Sequence, residues 1–276
     1  MRLRIRHTLT ARFDEPVSLV QRSLRMSPRT FNGQYVRAWR IEVDHDCRQN
    51  RSTDAFGNTT HEFTLTGAIR AVSIVAAGEV EVDDTAGVLK GTLGDRMPPA
   101  VYLRETPATA LDADIRALAR AARTGSDGND LDACHRLMHL MHERIEPQPA
   151  SLDERVNVGG ATAAACLAAG QGTPTAIAHL FVAAARSLLI PARYVSGYIC
   201  RGSDRDAGDA AHAWAEALIP GLGWVGFDAE NDTCPTDAYI RVASALDQSG
   251  GAFVRGADRG GPPTLEVAIT AEPLAV

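Results

Sequence analysis

His212 and Asp228 are the residues of this sequence best suited to do chemistry. A histidine can take a proton near neutral pH, and a carboxylate beside it fixes the imidazole's tautomer and stabilises the imidazolium. The two lie in strand-like runs, Ala211-His212-Ala213-Trp214 and Gly223-Trp224-Val225-Gly226-Phe227-Asp228, separated by the turn Pro220-Gly221-Leu222-Gly223. A hairpin across that turn brings the side chains together if they share a sheet face. Such a pair serves acyl transfer when a nucleophile stands at a nearby helix N-terminus, where the dipole and free backbone N–H groups lower a thiol's pKa. The helix start that precedes it, Gly172-Thr173-Pro174-Thr175, carries no thiol. Thr173 reads as its N-cap and Pro174 as its first helical residue.

The elements that must position these groups fall into two classes. Up to about Leu89 the pattern is strand-like, with alternation in 3–7, 35–43 and 71–75 and turn signals at Asn32-Gly33, Ser52-Thr53-Asp54 and Gly57-Asn58. This predicts an antiparallel β-sandwich over residues 1–95. Pro98-Pro99 and Pro107 mark a connector, after which 111–122 and 130–145 carry apolar residues at helical spacing. An α+β core domain is expected over 96–276, with an Ala-rich segment at 161–169, a helix at 174–189, and strands at 193–200, 212–219 and 223–228. Gly250-Gly251 and Gly260-Gly261-Pro262-Pro263 read as a loose connection to a short last strand at 264–270.

Three segments together carry a resemblance: Ile190-Pro191-Ala192-Arg193-Tyr194-Val195-Ser196-Gly197-Tyr198, His212-Ala213-Trp214, and Pro220-Gly221-Leu222-Gly223-Trp224-Val225-Gly226-Phe227-Asp228. They resemble the bacterial transglutaminase-like superfamily, and Asp54-Ala55-Phe56-Gly57-Asn58 resembles the β domain that precedes its papain-like core. The resemblance implies a cysteine nucleophile where Pro174 stands, and an Asp-Pro-Thr where this chain has Asp228-Ala229-Glu230. Proline supplies neither a nucleophile nor a backbone N–H for an oxyanion, yet it suits the first turn of a helix. The expectation is therefore a catalytically inactive family member that binds a peptide or protein, or serves as a partner subunit. The alternative is an active peptidase or amidase that uses a displaced nucleophile or a water activated by His212. Thr173, Thr175, Cys166 and Cys200 are the candidates for the displaced nucleophile, and Trp214 and Trp224 are candidates for a substrate groove. His179 is expected to hydrogen-bond within the core.

Composition narrows the remaining possibilities. A formal charge of −6 over 276 residues argues against nucleic acid or an anionic membrane as partner, and the arginines of the first fifty residues read as a solvated sheet face. No apolar run approaches the ~20 residues that span a bilayer, and five cysteines without a CxxC spacing read as reduced thiols, so a cytoplasmic location is expected. His135, His139 and His142 could present three imidazoles on one helix face, but no HExxH pattern accompanies them and no metal or other cofactor is assigned. The oligomeric state is not legible.

Overall fold

The structure is a computed structural model and describes residues 1–89, 97–150, 162–201 and 210–274. Strand β1 (Arg2–Ser27) alternates faces over most of its length: Leu3, Ile5, Leu9, Ala11 and Phe13 point inward, while Arg2 and Arg4 pair with Glu79 on the outer face. Strands β2 (Gln34–Val43), β3 (Asn50–Thr53) and β4 (Thr59–Val82) complete the antiparallel pattern expected here.

Two features differ from the expectation. The strands form one continuous six-stranded sheet instead of the two sheets of a sandwich. Register shifts between Arg12 and Leu19 bend β1, so that its two halves accept different partners. Those partners come from the far end of the chain. Val254–Arg259 pairs with the second half of β1 and Thr264–Pro273 with the first, so residues assigned to the core by sequence complete the N-terminal sheet. The link before them is also not loose, because Gly251, Ala252 and Phe253 are buried. The expected boundary at residue 95 lies outside the described residues, as does Ala161.

Two short strands, β6 (Glu146–Pro147) and β7 (Gln171–Gly172), pair in parallel, and a second sheet has the strand order β11-β8-β9-β10-β5, where β5 is Val88–Leu89, β8 Ala192–Ile199, β9 Ala211–Ile219, β10 Gly223–Phe227 and β11 Tyr239–Ala245. Gly221 and Gly223, both at positive φ, allow the tight return between β9 and β10. One face of this sheet packs on helices α1 (Ala113–Arg123), α2 (Asp130–Arg144), α3 (Ala163–Ala169) and α4 (Pro174–Ser187). Helix α4 is apolar on nearly every side and is buried on nearly every side, as a central helix must be.

Towards the β11 edge the N-terminal sheet takes over from the helices: Tyr198 and Ile240, which share the side of Ala215 in the strand register, join Val242 in a core with Leu3, Ile5 and Val80. Strand β11 is the edge of the second sheet, and its outward backbone groups need partners once covered. Two carboxamides supply them. Gln34 donates to Arg241 O and accepts from Arg241 N–H, and Asn58 donates to Ser244 O and accepts from Ser244 N–H, all at 2.8–2.9 Å. A bulge between Arg241 and Ala243 sets the spacing of these docking points. Asp54 holds the second amide in place by accepting from Asn58 N–H and Nδ2 and from Phe56 N–H. The Asp54–Asn58 turn is thus a latch between the two sheets.

Two outcomes follow. Asn58→Ala leaves both backbone polar groups of Ser244 without these partners, and denaturant unfolding is expected to show a loss of about 2–4 kcal/mol. His7 is buried against Tyr198 Oη (3.0 Å), and burial pushes its pKa down to about 3. The unfolded chain therefore takes up a proton near pH 6.5 that the folded chain refuses, so stability falls as pH drops from about 6.5 towards 3, by up to ~1.4 kcal/mol per unit. His7→Phe orphans the Tyr198 hydroxyl and is less stable at pH 7, but its deficit is expected to shrink by about 2 kcal/mol at pH 5. A deficit independent of pH contradicts this account.

Candidate functional site

The site is built on adjacent strands. In the β9–β10 register Phe227 faces Ala215, which places Asp228 one diagonal step from His212. His212 Nε2 lies 2.7 Å from Asp228 Oδ2, and both side chains are fully enclosed. The same oxygen accepts from Asn231 Nδ2 (2.6 Å) and Tyr239 Oη (2.7 Å), and Oδ1 accepts from Glu230 N–H (3.1 Å). Burial disfavours charge on either partner, but their mutual attraction and hydrogen bond prevail: His212 is held above its ordinary pKa and Asp228 below.

Asp228 takes Nε2, which leaves Nδ1 as the nitrogen a nucleophile would need. Nδ1 has no hydrogen-bond partner among the described residues, and Glu230 Oε2 stands 3.9 Å away. Glu230 is paired through its other oxygen with Arg201 Nη2 at 2.9 Å. The imidazole therefore lies between two carboxylates, an arrangement that favours the protonated ring. Two cations, Arg201 and His212, balance two anions, Asp228 and Glu230.

Helix α4 begins as the sequence predicts. Thr173 caps it by accepting from Ala176 N–H (3.3 Å), and Pro174 occupies the first turn, where a missing N–H is tolerated. Pro174 and His212 line one cavity of about 30 Å³ together with Thr175, Tyr194, Ser196 and Gln248. The hydroxyls there are engaged: Thr175 Oγ1 lies 3.4 Å from Tyr194 Oη, and Ser196 donates to Gly251 O at 2.6 Å. Neither Cys166 nor Cys200 lines this cavity. Cys166 lies in the helical core, where burial pushes its thiol up to about 12, and Cys200 donates to Ala271 O.

Neither of the tryptophans expected to line a substrate groove lines the His212 cavity; Trp214 borders another cavity with Glu216 and Tyr239. Trp214 is buried with its ring stacked beside His212, and Trp224 lies under the Arg193 guanidinium at 3.8 Å with its edge towards Tyr102. Alternation explains the placement, because both project from the sheet face covered by the N-terminal region. That face also carries Glu216, fully buried between Arg193 (2.6 Å) and Arg241 (2.7 Å). His179 accepts from Gln248 N–H at 3.0 Å, an internal hydrogen bond as expected.

The three histidines of α2 do share a face, and each meets the loop that follows Asp228. His142 Nδ1 bonds Glu230 O (3.1 Å), His139 Nδ1 meets Asp232 Oδ2 (3.1 Å), and His135 Nε2 lies 3.6 Å from Cys234 Sγ. They clamp the segment that carries Asp228 and Glu230, and no cluster with metal-binding geometry occurs among the described residues. Sequence reasoning missed Glu230, Arg201, Tyr239 and Asn231. Only the closeness of Glu230 and Asn231 to Asp228 could have flagged two of them, since Arg201 and Tyr239 arrive from other elements.

Residues 3–81 match the bacterial transglutaminase-like N-terminal region, and residues 116–229 match the transglutaminase-like superfamily core. An uncharacterized protein of Mycobacterium leprae is 25% identical over 280 residues, covering 97% of each chain. An uncharacterized protein of Mycobacterium tuberculosis is 37% identical over 90 residues, 29% of each chain. Among solved structures, a chain from Cytophaga hutchinsonii named a "putative cysteine protease" aligns with TM-score 0.73 at 18% identity, covering 100% of this chain and 92% of its own, which shows a shared fold. With the His–Asp hairpin, the helix start facing it and the preceding β region all in place, the chain belongs to the transglutaminase-like superfamily.

Proposed function

We propose that this protein is a catalytically inactive transglutaminase-like protein that binds a peptide or protein, or acts as a partner subunit. One observation carries the reading: the helix N-terminus beside His212 begins with Pro174, and the ring nitrogen left for a nucleophile has Glu230 as its charged neighbour. A thiolate–imidazolium pair needs an anion at that nitrogen. Here a carboxylate is the anion nearby, and a carboxylate so placed stabilises the imidazolium without offering a thiol. The proline costs the fold little, because the first turn has no use for its N–H. Five unpaired cysteines suit a reducing, cytoplasmic setting, and the negative net charge makes a nucleic-acid partner a poor fit. No helix among the described residues is long and apolar enough to cross a membrane.

The test is covalent. A cysteine-directed acylating peptide probe, mapped by peptide mass spectrometry, is expected to leave every residue lining the His212 cavity unlabelled, with no peptidase or amide-transfer activity in the purified protein. An adduct on Thr173, Thr175, Cys166 or Cys200, or a pH-dependent hydrolysis abolished by His212→Ala, establishes the active alternative and refutes this reading.

A stability measurement addresses the pair itself. His212→Ala strands Asp228 in a buried site without its cationic partner, and a loss of about 3–5 kcal/mol is expected in denaturant unfolding. Replacing both residues with leucine is expected to cost less than the sum of the two single replacements. Additive costs argue that the pair is not energetically coupled.

A further inference from the structure

A cavity of about 290 Å³ opens inside the bent first sheet, apart from the His212 site and formed by strands from both ends of the chain. Its floor is apolar: Leu9, Ala11, Val72, Ile74 and Val254 are all buried. Its mouth is framed by the exposed Gly256, Gly260, Gly261 and Pro262. The wall holds one ion pair. Arg22 Nη1 lies 2.7 Å from Asp258 Oδ1 and Nη2 lies 3.0 Å from Oδ2, and Nη1 also donates to Gln21 O and Ala257 O. Both side chains are largely enclosed, at 7% and 14% exposure. A Cβ at Gly256 would clash with Gln21 O and come within 2.8 Å of Arg22 Nη1, so glycine lets both the neighbouring strand and Arg22 approach here.

The charges select the ligand. Arg22 and Asp258 cancel, so an anion meets the Asp258 carboxylate and a cation meets the guanidinium, and neither gains an unpaired counter-charge. These hydrogen bonds use Nη1 and Nη2, so the guanidinium is fixed in place as the polar, hydrogen-bond-donating part of the wall. An apolar floor with one fixed polar contact is the usual composition of a small-molecule site, and the volume lies near the lower end of their range of roughly 300–1,000 Å³. We propose that this cavity binds a small, neutral, mostly apolar molecule of about one ring in size that carries a single hydrogen-bond acceptor.

Methyl NMR on the full chain tests this with three probes of matched size: cyclohexanone, methylcyclohexane and cyclohexanecarboxylate. Cyclohexanone is expected to shift the methyl signals of Leu9, Val72, Ile74 and Val254 saturably and at the lowest concentration, with the carboxylate at least tenfold weaker. Ala11→Leu is expected to fill the floor and weaken cyclohexanone binding at least tenfold while the remaining spectrum reports an intact fold. Arg22→Met combined with Asp258→Leu is expected to remove the preference for the ketone over the hydrocarbon. Absence of saturation at these methyls, a carboxylate that binds as well as the ketone, or binding unaffected by Ala11→Leu each overturns the proposal. If the paired variant does not fold, the probe order and Ala11→Leu still decide it.

Discussion

A strand edge that is covered by another part of the molecule must have its N–H and C=O groups answered, and at β11 the answer comes from two side chains. Gln34 and Asn58 each present a carboxamide that both donates and accepts, so each pairs with one backbone residue as a neighbouring strand would. This docks the N-terminal region along the β11 edge, beside the face of the second sheet that carries His212, Trp214 and Glu216. Everything polar on that face must then be satisfied internally. Glu216 is held between two arginines, and Asp228 collects donors from His212, Asn231 and Tyr239.

Burial turns the His–Asp pair into a question of charge balance. In water the imidazole would exchange its proton near neutral pH, but between Asp228 and Glu230 the protonated ring is the favoured form. Arg201 offsets the second carboxylate. A ring so held keeps its proton to higher pH than a free imidazole, and the α2 histidines hold the loop that supplies both acids. The departures at Pro174 and Glu230 are therefore mutually consistent. In the proposed reading, Pro174 stands where the thiol would be, and Glu230 places a carboxylate near the nitrogen that the thiol would use. A helix whose first turn tolerates proline can lose its nucleophile without losing its cap.

The second lesson concerns the bend of β1. A strand of 26 residues is too long to stay flat, and the register shifts after Arg12 divide it into two arms. Each arm leaves an edge, and the last strands of the chain fill both. The apolar cavity floored by Leu9, Val72 and Val254 lies within that bend.

Much was legible locally. Alternation along β1 and β4, helical spacing in α1 and α2, the Thr173 cap, the glycine turn at 221–223 and the His212–Asp228 hairpin all rest on interactions between residues near in sequence, and the sequence records those as period and turn chemistry. The tertiary structure decided the rest. That Val254–Arg259 and Thr264–Pro273 return to β1, that neither Trp214 nor Trp224 lines the His212 cavity, and that three histidines meet the loop after Asp228 depend on partners far along the chain. Above all, the neighbour of His212 Nδ1 was not readable. Sequence alone showed that Pro174 lacks a thiol, but only the fold brings Glu230 and Arg201 to the imidazole, because a buried charge is settled by what surrounds it in space and not by what adjoins it in the chain.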